Sequence, residues 1–312
     1  MSAALDLDFK QKLIAQAIIQ QYAASRPCDD YEPHDQGQIQ FHESGHTIRG
    51  LFPGNGFGKT TAVAAECHNW CMHTNRWQET PDHPVQVVWF CQDYQQFGKL
   101  RDQIERDVIG SCAKWRETTD GKFYEYPDGS RWFVSSADRS WTFFQGTNPD
   151  LIAFDEQPPL KLWREAMMRR RGKRKTKYIV SATATQGLSW MADVIWGPWK
   201  EHYENLGISH DAALIDQPHR DIWVWDEGGI EDNPGADEED VRWYKSQTWS
   251  SEKEKKVRLR GGFEDWTGDS VFDAVSIERM RDGLAEWLSR NPQMPITGIL
   301  EPIFPPTRRP KR

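Results

Sequence analysis

The sequence predicts an α/β protein, a doubly wound and mostly parallel sheet flanked by helices. Three observations carry that prediction. Strand-like and helix-like segments alternate from about Thr47 to Tyr178, the order that builds parallel strands with crossover helices. A glycine-rich turn joins the first strand to the helix behind it. Two short apolar runs, ending at Asp155-Glu156 and at Ser181, stop abruptly in polar residues, as strands buried on both faces do. Sheets of this kind bind ligands outside the carboxyl ends of their strands.

The elements follow in order. Residues 1–40 read as a helical lead-in, with Leu13, Ile14, Ala17, Ile18 and Tyr22 at helical spacing before a polar stretch rich in Asp, Pro and Gly. Residues 46–52 (HTIRGLF) read as a strand entering the glycine turn, and 59–73 (KTTAVAAECHNWCMH) as the helix leaving it. A second strand lies at 85–91 and an amphipathic helix at 100–112. Residues 123–136 form a hairpin around Pro127-Asp128-Gly129. Buried strands are expected at 150–156 and 177–183. Past Gly268 the pattern thins to one helix, 275–290, and a basic Pro-rich tail. No internal repeat is visible. The expected division is a lead-in (1–40), one large domain (41–270) and a linker-like remainder (271–312).

Composition narrows the function. At 312 residues the chain can bury a core without disulfide or metal staples. A mean hydropathy of -0.78 and the lack of a long apolar run argue against a membrane span, and the start lacks a secretory pattern. Five cysteines between Cys28 and Cys112, an odd number, suit free thiols in a reducing cytosol. Cys67 and Cys71 share a helix face without a second ligand pair, so zinc is not expected. The sixteen tryptophans are expected mostly in core and interface positions. Net charge is -8, yet the charge is segregated. Lys161 to Lys177 holds nine Lys/Arg against the single acid Glu165, while Asp226 to Asp240 holds eight acids and no base. Local patches of this kind decide contact with phosphate backbones.

The chemistry concentrates in three motifs. Pro53-Gly54-Asn55-Gly56-Phe57-Gly58-Lys59-Thr60-Thr61 lies between strand and helix. Backbone N–H groups from Gly54 to Gly58 and the helix start at Thr60-Thr61 can wrap phosphates, Lys59 can reach the β- and γ-phosphates, and Thr60 can ligate magnesium. Asp150-Leu151-Ile152-Ala153-Phe154-Asp155-Glu156 ends an apolar strand in two carboxylates. Asp155 suits the metal and Glu156 the attacking water. Ser181-Ala182-Thr183, at the end of the next strand, offers short hydroxyls that can couple hydrolysis to neighbouring elements. The three in this order specify a P-loop NTPase of the RecA/ASCE-like type, a magnesium-dependent ATPase.

These segments resemble the ATPase part of the large terminase subunit, the DNA-packaging motor of tailed bacteriophages. PGNGFGKT is similar to the family's Gly-Gly-Asn-Arg-Ser-Gly-Lys-Thr loop, IAFDEQPP to its Asp-Glu segment, and YIVSATATQGLSWMADVIW to its coupling motif and following helix. IEDNPGA and VRLRGGFEDWTGDSVFD resemble the closing stretch, so the likeness runs over roughly residues 38–275. It implies ATP and Mg2+ as cofactors, duplex viral DNA as the translocated polymer and a homo-oligomeric ring. It also implies contacts with a portal protein and a small terminase subunit, and work in the cytoplasm of a bacterial host. Phe41, with His42, resembles the adenine-side position, although an aromatic there also suits packing.

Two departures stand out. Pro53 replaces a glycine, and Gly56 stands where many relatives carry an arginine acting in cis on the γ-phosphate. The missing charge must come from elsewhere. Arg139 is a candidate finger toward a neighbouring subunit, with a solvated loop arginine as the alternative. The basic run through Arg169, Arg170, Arg171, Lys173, Arg174 and Lys175 suits DNA contact, a solvated helix face, or pairing with the acids of 226–240. Two other functions stay open. A superfamily-2-like helicase would need a second motor domain, and no Gln-x-x-Gly-Arg-x-x-Arg occurs. A non-catalytic nucleic-acid-binding scaffold would not need Lys59, Thr60, Asp155 and Glu156 intact. Nuclease activity is not expected, because Asp273, Glu278, Asp282, Glu286 and Glu301 lie mostly on one helix rather than on converging strands.

Overall fold

Strand order decides where the functional motifs meet. The structure, a computed structural model, describes residues 25–137, 148–170, 175–185 and 189–264. These belong to one compact unit, Met1–Glu264. The helix read within residues 1–24, Arg139, the run 171–174 and everything past Glu264 lie outside the described residues.

In chain order the elements begin with a 3-10 turn (Pro27–Asp30), α1 (Gln36–Glu43), β1 (Ile48–Leu51), α2 (Lys59–Met72) and β2 (Gln86–Cys91). Next come α3 (Tyr94–Ile104) with a π-helical turn (Glu105–Ile109), β3 (Lys114–Thr118), β4 (Gly121–Glu125), β5 (Arg131–Ser136), β6 (Leu151–Asp155), α4 (Leu160–Met167) and β7 (Lys177–Ser181). A second π-helical turn (Ala192–Trp196) leads into α5 (Gly197–Asn205), α6 (His210–Asp216), β8 (Ile222–Trp225), a 3-10 turn (Ile230–Asp232), α7 (Glu238–Lys245) and α8 (Glu252–Arg260).

The eight described strands form one sheet in the order β3-β4-β5-β2-β6-β7-β1-β8. Every pairing from β5 across to β8 is parallel, and only β3–β4 and β4–β5 are antiparallel. The predicted α/β class with a mostly parallel sheet is therefore the observed one. β1 and β6 are entirely buried, which explains the apolar run Leu151–Phe154 of β6, while the one charged residue of β1, Arg49, is paired inside the fold. Successive residues of β1 report which elements cover it. Arg49 bonds to Glu66 of α2 at 2.9 Å, while a Cβ on Gly50 would meet Ile195 of the second π turn at 3.2 Å. Neighbouring strand residues face opposite sides, so helical segments flank both faces of the sheet.

Trp89 and Trp132 stack at 5.3 Å between β2 and β5, and Trp163, Trp199 and Trp223 are also buried. Trp243, by contrast, is 64% exposed. The hairpin read at Pro127–Gly129 is the β4–β5 turn, closed by the Gly129 N–H donating to Tyr126 O at 3.0 Å. α1 arises inside the stretch read as polar, because the Asp35 side chain caps it by accepting from the Gly37 N–H at 2.6 Å. The edge strand β3 and the short β8 carry too little pattern to stand out, four of five β3 residues being exposed.

Candidate functional site

The register of three adjacent strands builds the site. Leu51 of β1 and Asp155 of β6 both pair with Ser181 of β7. The glycine loop, the Asp-Glu pair and Ser181-Ala182-Thr183 therefore leave the sheet side by side at its carboxyl edge.

The loop keeps the conformation its glycines permit. Gly56 and Gly58 have φ of 77° and 89°, left-handed values that cost an ordinary residue about 1–2 kcal/mol. A Cβ on Gly56 would lie 2.7 Å from the Ile230 Cβ, and one on Gly54 would lie 2.7 Å from the Arg258 carbonyl. α2 then opens directly after Gly58, and the Ala62 N–H donates to the Gly58 carbonyl at 3.0 Å. The N–H groups of Lys59, Thr60 and Thr61 precede that first turn. This is an anion cradle of alternating left-handed turns and helix dipole. Pro53 does not prevent it, since the proline contributes a carbonyl and no N–H is required of it.

Lys59 is buried, and its ammonium donates to Pro53 O at 3.0 Å, Gly54 O at 2.7 Å and Thr183 Oγ1 at 2.8 Å. Burial lowers its pKa to about 8, against the pull of Glu156 and Asp155. Thr60 donates to both Asp155 oxygens, at 3.2 and 3.4 Å. Burial and the Glu156 charge raise Asp155 to about 7, while Thr60 and Lys59 oppose them. A hydroxyl and a crowded carboxylate in mutual reach make the hard oxygen pair that suits magnesium.

Glu156 sits at φ 76°, a strained position for a residue with a side chain. Its N–H is pinned to Ser181 O at 2.7 Å, and burial raises its carboxyl pKa despite Lys59, the Thr183 N–H and Arg258. It lines a polar cleft of about 250 Å³ with Asn55, Gln92, Gln96, Gln157, Thr183 and Arg258. Thr183 is the hinge of the polar network, donating to Asn55 Oδ1 at 2.8 Å as well as accepting from Lys59. Ala182 donates its N–H to Leu51 O at 3.1 Å. The buried Ser181 hydroxyl has no hydrogen-bond partner among the described residues.

The structure thus brings together Gly54 through Thr61, Asp155, Glu156 and Thr183. Phe41 stands apart. It is fully buried, 5.9 Å from Trp223 and beneath the Arg49 guanidinium at 4.9 Å, so the packing alternative for this aromatic is the one the structure presents. Of the basic run, the described residue Lys175 lies at the amino end of β7, separated from the site by the height of a five-residue strand, about 17 Å. Lys175 is exposed there. Arg169 is half-buried at the end of α4, and Arg170 pairs with Asp221 at 3.6 Å. That partner lies outside the acidic stretch of 226–240.

The main element missing from the sequence reading is the brace outside the loop. Gly54 N–H donates to Gly228 O at 2.8 Å, Asn55 N–H to Arg258 O at 2.7 Å, and Gly262 N–H to Phe52 O at 3.2 Å. Asn233 Nδ2 holds Gly56 O at 2.6 Å, and Asn55 also bonds the Tyr244 hydroxyl. These segments lie far along the chain from the loop, beyond any local spacing signal. Its trace in the sequence is the resemblance of IEDNPGA and VRLRGGFEDW to the family's closing stretch, together with glycines that take positive φ, Gly228, Gly261 and Gly262. A larger cleft, about 640 Å³ and lined by Trp196, His210, Asp226 and Arg260, contains neither Lys59 nor Glu156.

No protein-family model matches the chain, and no curated protein matches it. Solved structures do. The large terminase ATPase domain of Thermus phage P74-26 aligns at 18% identity and a TM-score of 0.51, over 73% of this chain and 93% of that one. A mutant of the same domain aligns at 19% and 0.51, over 75% and 94%. The large terminase of bacteriophage HK97 aligns at 15% and 0.49, over 74% of this chain and 50% of that one. The chain has the fold of the phage large terminase ATPase domain.

Proposed function

We propose that this chain is the ATP-hydrolysing motor part of a phage terminase, moving double-stranded DNA into a procapsid. The observation that carries the reading is the meeting of Lys59, Thr60, Asp155, Glu156 and Thr183 at the carboxyl ends of β1, β6 and β7. ATP lies with its phosphates in the glycine cradle. Thr60 and Asp155 would hold magnesium, which would neutralise phosphate charge. Glu156 takes a proton from the attacking water, and its raised pKa suits a base that must accept one. Thr183, bonded to both Lys59 and Asn55, couples the state of the phosphates to the loop and through Asn55 to α7 and α8.

The motor works as a homo-oligomeric ring in the host cytoplasm, with a portal protein and a small terminase subunit as further partners. Arg139 is retained as a finger acting on the neighbouring subunit. No described helix is long and apolar enough to cross a membrane. The exposed Arg170 and Lys175, on the side of the sheet away from the ATP site, support contact with the phosphate backbone.

Phosphate release from ATP, with and without duplex DNA, tests the reading. Lys59→Ala should abolish productive nucleotide engagement. Glu156→Gln should retain nucleotide binding and lose on the order of 10²–10⁴ in turnover. Wild-type turnover in Glu156→Gln would remove this residue as the base. Neutralising Arg169, Arg170, Arg171, Lys173 and Arg174 together should weaken duplex binding at every sequence and flatten its salt dependence. The slope should fall by up to about 0.9 for each phosphate that is no longer neutralised. An unchanged slope would return the run to a solvated face.

A further inference from the structure

A side chain at position 56 would be strained. Gly56 is at φ 77°, and the Cβ of any other residue would press on Ile230 at 2.7 and 2.8 Å. Both backbone and packing therefore disfavour a cation at position 56, whatever the loop's charge requirement. Phosphoryl transfer still needs one, because charge spreads over the three equatorial oxygens of the transferred group.

The cleft beside Glu156 contains such a cation. Among the described residues lining it, Arg258 is the only cationic side chain, and the others are Asn, Gln, Thr and Glu156. Arg258 is held from three sides. Its Nε donates to Glu254 Oε1 at 2.7 Å, one turn back on α8. Its guanidinium lies 5.5 Å from the Trp249 ring centre. Its carbonyl accepts the Asn55 N–H at 2.7 Å, which ties the end of α8 to the phosphate loop. The two terminal guanidinium nitrogens make no hydrogen bond among the described residues. The side chain is 30% exposed and is also close enough to Glu156 to pull against its raised pKa. A planar fork fixed at its base, with its tip uncommitted in a polar cleft, is the form that recognises phosphate oxygens.

We infer that Arg258 is a catalytic arginine acting in cis, contacting the terminal phosphate of the nucleotide held in its own chain's loop. The inference rests on the ATPase reading above. In the step it serves, the water oxygen forms a bond to the γ-phosphorus as the bond to the β–γ bridging oxygen breaks. The water proton passes to the Glu156 carboxylate, and ADP and phosphate separate. Arg258 neutralises charge on the transferred group and takes no proton. A displacement of α8 when phosphate leaves would then reach the loop through the Asn55–Arg258 backbone bond.

The test compares Arg258→Ala, Arg258→Lys and Glu254→Gln with the wild type. It uses ATP turnover, affinity for ADP, and affinity for ADP with aluminium fluoride, which imitates the transferred group. Arg258→Ala should lose on the order of 10²–10³ in kcat and bind ADP–aluminium fluoride correspondingly less well, with ADP affinity within about threefold. Arg258→Lys should recover part of the turnover, since it restores charge without the fork. Glu254→Gln removes the ion pair but keeps an amide oxygen for Nε and leaves the guanidinium, and should lose markedly less turnover than Arg258→Ala. Arg258→Ala chains mixed with Lys59→Ala chains should regain no turnover, because the arginine serves its own chain.

Turnover in Arg258→Ala within threefold of wild type, with Glu156→Gln inactive, overturns the inference and leaves the ATPase reading standing. Equal loss of ADP and ADP–aluminium fluoride affinity would make Arg258 a structural brace, and recovery on mixing would place it in trans. Either result also overturns the inference. A wild-type chain that binds ATP and never hydrolyses it would remove both readings.

Discussion

Helix α2 carries two buried charge clusters, and they are built on opposite rules. Two turns beyond Lys59, the Glu66 carboxylate is fully buried and accepts hydrogen bonds from Arg49 Nη1 at 2.9 Å, Trp70 Nε1 at 3.0 Å and Gln78 Nε2 at 2.6 Å. It also shares one with His42 Nδ1 at 2.8 Å. Burial pushes this carboxyl up, but Arg49 and His42 more than overcome it and hold it down at about 2. Burial also lowers the His42 pKa, so Arg49 supplies the countercharge and His42 a neutral donor. At the helix start the balance reverses. Asp155 and Glu156 crowd each other, Asp155 is pushed up to about 7, and Lys59 is pushed down to about 8. The difference separates a cluster that completes itself from one whose charges stay uncompensated, which the proposed phosphate and metal would relieve.

The same chemical change should therefore have opposite effects in the two places. Glu66→Gln is expected to produce the largest effect, a loss of about 3–5 kcal/mol, because it strands the buried Arg49 charge. Thermal or urea unfolding reads it directly. Adding Arg49→Met should restore part of the loss by removing the stranded charge as well. Asp155→Asn should instead leave the nucleotide-free fold as stable as wild type or up to about 1–2 kcal/mol more stable, while ATP turnover fails. Equal destabilisation by both variants would break the comparison.

The pH dependence sharpens it. The folded-state value for Glu66 lies below its ordinary 4.5, so its contribution is present above pH 4.5 and is lost as pH falls through about 2. The stability gap between wild type and Glu66→Gln should accordingly be constant from pH 7 to 5 and shrink below 4.5. A gap that shrinks above pH 5 would mean that Glu66 is not held by Arg49. Gly56→Ala should produce the smallest effect, about 1–2 kcal/mol from its left-handed backbone, plus the pressure on Ile230. Ile230→Gly in the same chain, which removes the Cβ and Cγ1 that a Gly56 side chain would meet, should relieve the second part and leave the first. Complete recovery in that double variant would show that contact, and not backbone strain, governs the loop.

Much of this site was legible because its parts are local. Gly54 to Thr61 must be contiguous for one loop to wrap an anion, and an apolar run ending in Asp155-Glu156 must be a buried strand ending at the sheet's edge. The strand periods at 85–91 and 177–183 and the hairpin at Pro127–Gly129 were legible for the same reason. The polar stretch containing α1 was not, because its signal is a single capping aspartate. β3 was not, because an edge strand exposed along most of its length need not alternate.

What the sequence alone determined is the chemistry available, namely a phosphate loop with its lysine and threonine, a carboxylate pair and a following hydroxyl. It also determined that the loop bears no cation at position 56. The tertiary structure decided which distant residues serve that chemistry. β7 between β1 and β6 brings Thr183 against Lys59, and the brace through Gly228, Asn233 and Arg258 closes on the loop from far down the chain. It also put Phe41 in the core and set Lys175 at the opposite end of β7. These outcomes depend on strand order and long-range packing, and neighbouring residues carry no trace of either. Spacing specifies a motif because its atoms are joined by a few bonds, whereas a contact across the fold exists only once the whole sheet has formed.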